Sequence, residues 1–137
     1  MKRIELTVDA PMASPRPRFR NAGKFVQTYM SSDYMKHKKE LQKQMPKLLL
    51  DGPLIILIEF HFPMLKSWSK KKQQSMAGKY KISKPDVDNL IKTILDAGNN
   101  HLWADDNIVA DARGIKTYSF EPRVIIHIEK VEGELNE

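Results

Sequence analysis

Two short acidic runs stand in a strongly basic chain. The first is Lys84-Pro85-Asp86-Val87-Asp88-Asn89-Leu90-Ile91-Lys92-Thr93-Ile94-Leu95-Asp96-Ala97-Gly98, and the second, soon after, is Trp103-Ala104-Asp105-Asp106. The formal net charge is +6 over 137 residues. A surface of that sign suits a polyanion, whereas a carboxylate cluster repels a phosphate backbone unless it carries a divalent cation. Asp86, Asp88, Asp105 and Asp106 are enough oxygen donors for Mg²⁺, with water completing an octahedron. Such an ion polarises a scissile phosphate and lowers the pKa of an attacking water. Residues two apart in a regular helix point about 200° apart, so Asp86 is expected at the helix cap and Asp88 in the first turn. The helix field favours both anions there. N-capping by itself therefore explains one of them, but not Asp105 and Asp106 as well. Lys92, one turn beyond Asp88, either reaches a phosphoryl oxygen or pairs with Asp88 and Asp96 on the helix surface, worth about 0.2–0.5 kcal/mol per pair. Zinc is not expected, because there is no cysteine and the histidines are scattered. No glycine loop of the phosphate-cradling kind is present, which argues against an NTPase.

The elements that must position these groups follow from periodicity. Val87, Leu90, Ile91, Ile94 and Leu95 recur at helical spacing and form one apolar stripe, with Asp88, Lys92 and Asp96 on the polar side and Gly98 as the stop. Ile4, Leu6 and Val8 alternate as in a half-buried strand, and Leu54 to Phe62, dense in β-branched and aromatic residues, is the best central strand. Within it Glu59 either faces the acids or occupies the strand's polar side, the latter being favoured, and His61 has no partner at metal-ligand spacing. Ser31 or Ser32 is expected to cap a helix reaching about Met45, packed through Tyr34, Leu41 and Met45. Phe25–Tyr29 and Val124–Ile128 read as strands, Asp51-Gly52-Pro53 as a turn, and Gly114 as a bulge in a mixed stretch from Asn107 to Ser119. The expected fold is α+β: one domain, residues 1–137, with a mixed sheet of three to five strands against two principal helices.

Two basic stretches flank this frame. Pro11 to Arg20 is too proline-rich for a helix or inner strand, and Arg16, Arg18 and Arg20 alternate along it. An extended ribbon of guanidinium forks matches phosphate oxygens, although a solvated loop would look the same. Lys66 to Lys84 holds seven lysines and no acid. It reads as a mobile surface loop at about 66–83, with Lys70, Lys71, Lys72, Lys79 and Lys84 as candidate nucleic-acid contacts. Trp68 and Tyr80 either stack on an exposed base or anchor the loop.

The lack of cysteine removes disulfides and thiol chemistry. Met1-Lys2-Arg3-Ile4-Glu5 has the charge of a secretion signal but no apolar run after it, and no stretch approaches the roughly 18 apolar residues of a membrane span. A cytoplasmic protein with no membrane partner is expected.

The pattern Lys84-Pro85-Asp86-x-Asp88-Asn89-Leu90-x-Lys92 with Leu95-Asp96, then Trp103-x-Asp105-Asp106-x-x-Val109, resembles the RusA family of Holliday-junction resolvases, small and often prophage-encoded. The resemblance spans nearly the whole chain. It implies a homodimer that binds four-way DNA junctions during recombination and repair and makes paired, symmetric nicks with Mg²⁺, or Mn²⁺ in its place. By the resemblance the catalytic acids fall on Asp86, Asp88 and Asp106, with Asp105 beside it as a further metal ligand, and the essential lysine on Lys92. Ile108 stands where many relatives have glutamine, a departure that bears on packing or DNA contact more than on chemistry. The competing readings are a non-catalytic basic nucleic-acid-binding protein, with its acids as caps and salt-bridge partners, and a different phosphotransfer enzyme with an Asp-x-Asp metal site.

Overall fold

The computed structural model describes residues 1–15, 18–22 and 25–131, with only the backbone path given for 18–22 and 25–29. In chain order the elements are β1 (Lys2–Thr7), β2 (Arg18–Ala22), β3 (Phe25–Tyr29), α1 (Ser32–Gln44), β4 (Leu54–Phe62), α2 (Lys70–Met76), α3 (Val87–Gly98), a 3-10 turn (Asp106–Ile108), β5 (Val109–Tyr118) and β6 (Arg123–Lys130). The main sheet runs β1-β6-β4-β5 and is mixed, and β2 and β3 form a separate two-stranded hairpin. This is the small α+β fold expected from the sequence, with the basic hairpin and α2 added to it.

β4 is the keel. Its burial alternates along all nine residues, placing Leu54, Ile56, Ile58, Phe60 and Phe62 on one face. That face meets Leu41 and Met45 from the α1 region and Leu90, Ile94 and Ala97 from α3 in a single buried cluster, as the two sequence periods require. β4 pairs antiparallel with β6 but parallel with β5. Parallel neighbours need a crossover connection, and the chain between them contains α2 and α3. The topology of β4 and β5 is therefore what lays α3, with its acids, across the sheet. The edge of β5 is in turn covered by residues 78–81: Gly78 N–H donates to Tyr118 O (2.8 Å), Tyr118 N–H to Lys79 O (3.1 Å) and Lys81 N–H to Lys116 O (2.9 Å).

Two glycines have other reasons than those read from the sequence. The register irregularity in β5 falls opposite Leu54/Ile55 and not at Gly114. Gly114 is instead where α3 touches the sheet, since a Cβ there would lie 2.8 Å from Val87 Cγ2 and 3.0 Å from Ile91 Cγ1. Gly98 does end α3, but through close approach: a Cβ would stand 2.5 Å from Cζ2 of the fully buried Trp103. The left-handed residue of that turn is Asn100, at φ 64°.

On the opposite face of β4, Glu59 takes the polar side of the strand. It accepts from His61 Nε2 (3.1 Å), two residues further along the same face of β4, and from His127 Nε2 on β6. Burial pushes the Glu59 carboxyl up, but the hydrogen bonds from His127 and His61 outweigh it and hold the group below the usual glutamate range. A depressed carboxylate contributes stability above its unfolded value and loses it as pH falls through the folded one. Glu59→Gln is therefore expected to lower Tm at neutral pH, with the gap to wild type closing on acidification, as followed by thermal melts across pH. A second expectation concerns Gly98. Gly→Ala inside a helix ordinarily gains about 1 kcal/mol, but Gly98→Ala should lose roughly 1–3 kcal/mol by overpacking against Trp103, measurable by urea denaturation.

Candidate active site

The entrance to α3 is built so that Asp86 does not cap it with its side chain. Asp86 occupies the N-cap position in extended backbone (φ −71°, ψ 142°), and its carboxylate makes no hydrogen bond to the first-turn amides. The helix terminus thus holds the residue in place while leaving its oxygens uncommitted. Asp88, in the first turn, accepts from the Asn89 N–H (2.9 Å), and both acids are exposed. Just upstream, Lys116 from β5 donates its ammonium protons to Ser83 O (2.8 Å) and Pro85 O (2.7 Å). Alongside, Ser14 N–H donates to Asn89 O (3.0 Å) and the buried Thr93 hydroxyl donates to Met12 O (2.9 Å). These bonds tie the stretch that leads into the arginine ribbon to the first turns of α3.

The other end of the helix holds a second acidic group. Asp96 accepts from Tyr34 Oη (3.2 Å) and Lys38 Nζ (3.1 Å), both on α1. Lys92 is exposed and forms neither the Asp88 nor the Asp96 pair, Asp96 being taken by Lys38. Burial, then the charge of Asp105, push the Asp106 carboxyl above the usual aspartate range; the Asn99 amide opposes this, while the charge of Asp96 adds to it. Asn99 is itself held by Trp103, whose indole N–H donates to Asn99 Oδ1 (3.1 Å). Asp105 precedes the 3-10 turn without a side-chain cap bond.

Among the described residues no three Asp, Glu or His side chains are grouped to hold an ion. Asp88 and Asp96 are eight residues apart, about 12 Å along the helix axis, and burial together with the charges of Asp105 and Asp96 acts on Asp106. Asp96 is a neighbour of Asp106 that sequence reasoning missed. Its spacing from Asp88 and Lys92 suggested a surface pair, and nothing local signalled the return of the chain to its side. The donor set still fits a hard divalent cation. Mg²⁺ is commonly held by one or two carboxylates plus water and substrate phosphate, and a bound cation would offset the repulsion that Asp105 and Asp96 add to burial in raising Asp106.

The candidate phosphate contacts lie on the approach to this helix. The segment expected as a loop carries α2, capped by Ser69, whose Oγ accepts from Lys72 N–H (3.1 Å). Lys70, Lys71, Lys72, Lys79 and Lys84 are all exposed. Trp68 stacks edge-on against Tyr118 (5.0 Å between centroids) and anchors the segment, whereas Tyr80 is 73% exposed. Arg16 lies outside the described residues. Arg18 and Arg20 lie on β2, opposite Tyr29 and Gln27, and their side chains are outside the described part. A cavity of about 570 Å³ between the end of β1 and α1, lined by Asp9, Asp33, Lys36, His37 and others, contains none of the motif acids.

The family model of the endodeoxyribonuclease RusA matches residues 10–129. The chain belongs to the RusA family. It is also 36% identical over 139 residues to the Uncharacterized protein YqaN of Bacillus subtilis (strain 168), covering 95% of this chain and 98% of that one. The RusA match takes in the Asp86–Asp88 entrance, Lys92, Asp96 and the Asp105–Asp106 pair within one continuous span. No helix among the described residues is long and apolar enough to cross a membrane.

A raised carboxyl stabilises the fold below its unfolded pKa, and that contribution is lost as pH rises through the folded value. Asp106→Asn is therefore expected to raise Tm at neutral pH in chelator, and the gain should vanish in acid, where the wild-type carboxyl is protonated. Thermal melts with EDTA at several pH values check both halves.

Proposed function

We propose that the chain is a metal-dependent, structure-specific DNA endonuclease that resolves Holliday junctions by paired, symmetric phosphodiester hydrolysis. The observation that carries this reading is Asp86: a carboxylate set at a helix entrance, bound to no helix amide, beside exposed Asp88 and within a basic surface. A capping role leaves that arrangement without a purpose. Asp86, Asp88, Asp106 and Asp105 are the residues that would hold Mg²⁺, or Mn²⁺ in its place. The ion supplies Lewis-acid polarisation of the phosphate and a more acidic water.

The chain's own groups orient the substrate. Lys92, exposed on α3 and without an ion-pair partner among the described residues, presents a fixed positive charge to a phosphoryl oxygen or the leaving group. Lys70, Lys71, Lys72, Lys79 and Lys84, with the arginines Arg16, Arg18 and Arg20, follow the phosphate backbone. Such contacts fix position without reading sequence and make binding steeply salt-dependent. A homodimer supplies two identical centres related by a two-fold axis, which matches the two symmetry-related strands of a four-way junction. The setting in this reading is cytoplasmic DNA recombination and repair.

A second reading has one observation in its favour. Because no three acids are grouped among the described residues, the chain would serve as a non-catalytic basic nucleic-acid-binding protein. Purified protein incubated with synthetic four-way junctions and linear duplexes, in Mg²⁺ or EDTA, separates the two. The nuclease reading expects ligatable, paired nicks confined to junctions and lost in EDTA. Asp86→Asn and Asp88→Asn should each reduce cutting by roughly 10²-fold or more, with junction affinity kept or increased because negative charge is removed. Cutting at the wild-type rate in both variants, or in chelator, would reject it.

A further inference from the structure

The helix terminus fixes where Asp86 lies but not which way the entrance faces, since its side chain takes no cap bond. What does hold the entrance is Lys116, on β5. Its ammonium donates to the carbonyls of Ser83 (2.8 Å) and Pro85 (2.7 Å), the two residues on either side of Lys84, the second of them directly before Asp86. Its backbone carbonyl accepts from Lys81 N–H on the same segment (2.9 Å). One residue of β5 thus grips the approach to the acids twice, through main chain and side chain. Hydrogen bonds from an ammonium are charge-assisted and shorter than neutral ones. With two of its three protons directed at carbonyls, Lys116 is poorly placed to serve as a phosphate contact, unlike exposed Lys84 between those carbonyls. β5 is also the strand on which α3 rests, through Gly114 against Val87 and Ile91. The strand that carries the helix body therefore also sets its mouth.

We propose that Lys116 is a positioning residue: it clamps the Ser83 and Pro85 carbonyls so that Asp86 leaves the chain in the direction the reaction uses. The functional half of this rests on the nuclease reading above; the structural half does not.

The test compares full-length wild type, Lys116→Met (stem kept, donors removed) and Lys116→Arg (donors kept). Hydrogen exchange by mass spectrometry, without DNA or metal, reads the clamp directly. In Lys116→Met, amides of residues 82–89 should exchange roughly tenfold faster while those of β4 and β6 are unchanged. In junction cleavage, kcat should fall by about tenfold or more, with KM little changed, because a small misplacement of a reacting group is costly. Lys116→Arg should restore both readouts in large part. Unchanged exchange at 82–89 overturns the clamp, as does faster exchange spread through β4 and β6, which marks a general structural role. Lost junction affinity with a shallower salt slope and intact kcat would make Lys116 a phosphate contact instead. If Asp86→Asn cut at the wild-type rate, the nuclease site and the functional half would fall together, and the exchange data would still decide whether the clamp exists.

Discussion

The close seating of α3 on the sheet is the constraint from which the site follows. Gly114 on β5 allows it, beneath Val87 and Ile91, and Gly98 lets the Trp103 ring of the following turn pack against the helix end. At each, the missing side chain is the space that the neighbour occupies. With the helix held at both ends and Leu90, Ile94 and Ala97 buried between, its polar side is presented at a set angle. Asp86 and Asp88 then stand at one end, Asp96 at the other, and Lys92 between them. The sharp turn after Gly98 brings Asp105 and Asp106 back beside the helix exit, where Trp103 and Asn99 hold that return in place.

The charges around this helix are differentiated by what holds each one. Asp86 has no cap bond, Asp88 accepts a neighbouring amide, and Asp96 is compensated by Lys38 and the Tyr34 hydroxyl. Asp106 is pressed towards its neutral form by burial and by Asp105. The lysines divide in the same way. Lys38 and Lys116 are engaged with protein oxygens, and Lys81 lies 5.2 Å from the Phe62 and Tyr118 rings. A formal charge of +6 is therefore an uneven guide to the phosphate-facing surface, which depends on the lysines left in water, such as Lys70, Lys71, Lys79 and Lys84.

Across the sheet from α3, Glu59 with His61 and His127 shows how strand register governs polar burial. The alternation that sends Phe60 inward sends Glu59 outward, and the β4–β6 register sets His127 opposite Leu57, diagonal to Glu59. His61 meets Glu59 from two residues along the same face of β4, whereas His127 reaches it only through the pairing of β4 with β6. The Arg123–Glu5 bridge between β6 and β1 (3.2 Å) has the same origin.

Elements set by local repetition were legible from residues alone. The period-two run Leu54–Phe62, the helical spacing of Leu90, Ile91, Ile94 and Leu95 against the core, one of the two serines offered as the cap of α1 (Ser31) and Asp86 at the N-cap position of α3 reappear, because strand and helix periods act over a few residues, whereas Val87 of the expected stripe is left exposed. The acidic motif and its family were readable for the same reason. Tertiary structure alone decided which acids are neighbours, why Gly98 and Gly114 are glycines, that Asp96 pairs with Lys38 and not with Lys92, and that Lys116 grips the entrance. Each of those depends on contact between segments far apart in the chain, which are brought together by burial of the apolar faces of β4, α1 and α3. Local spacing carries no record of that packing.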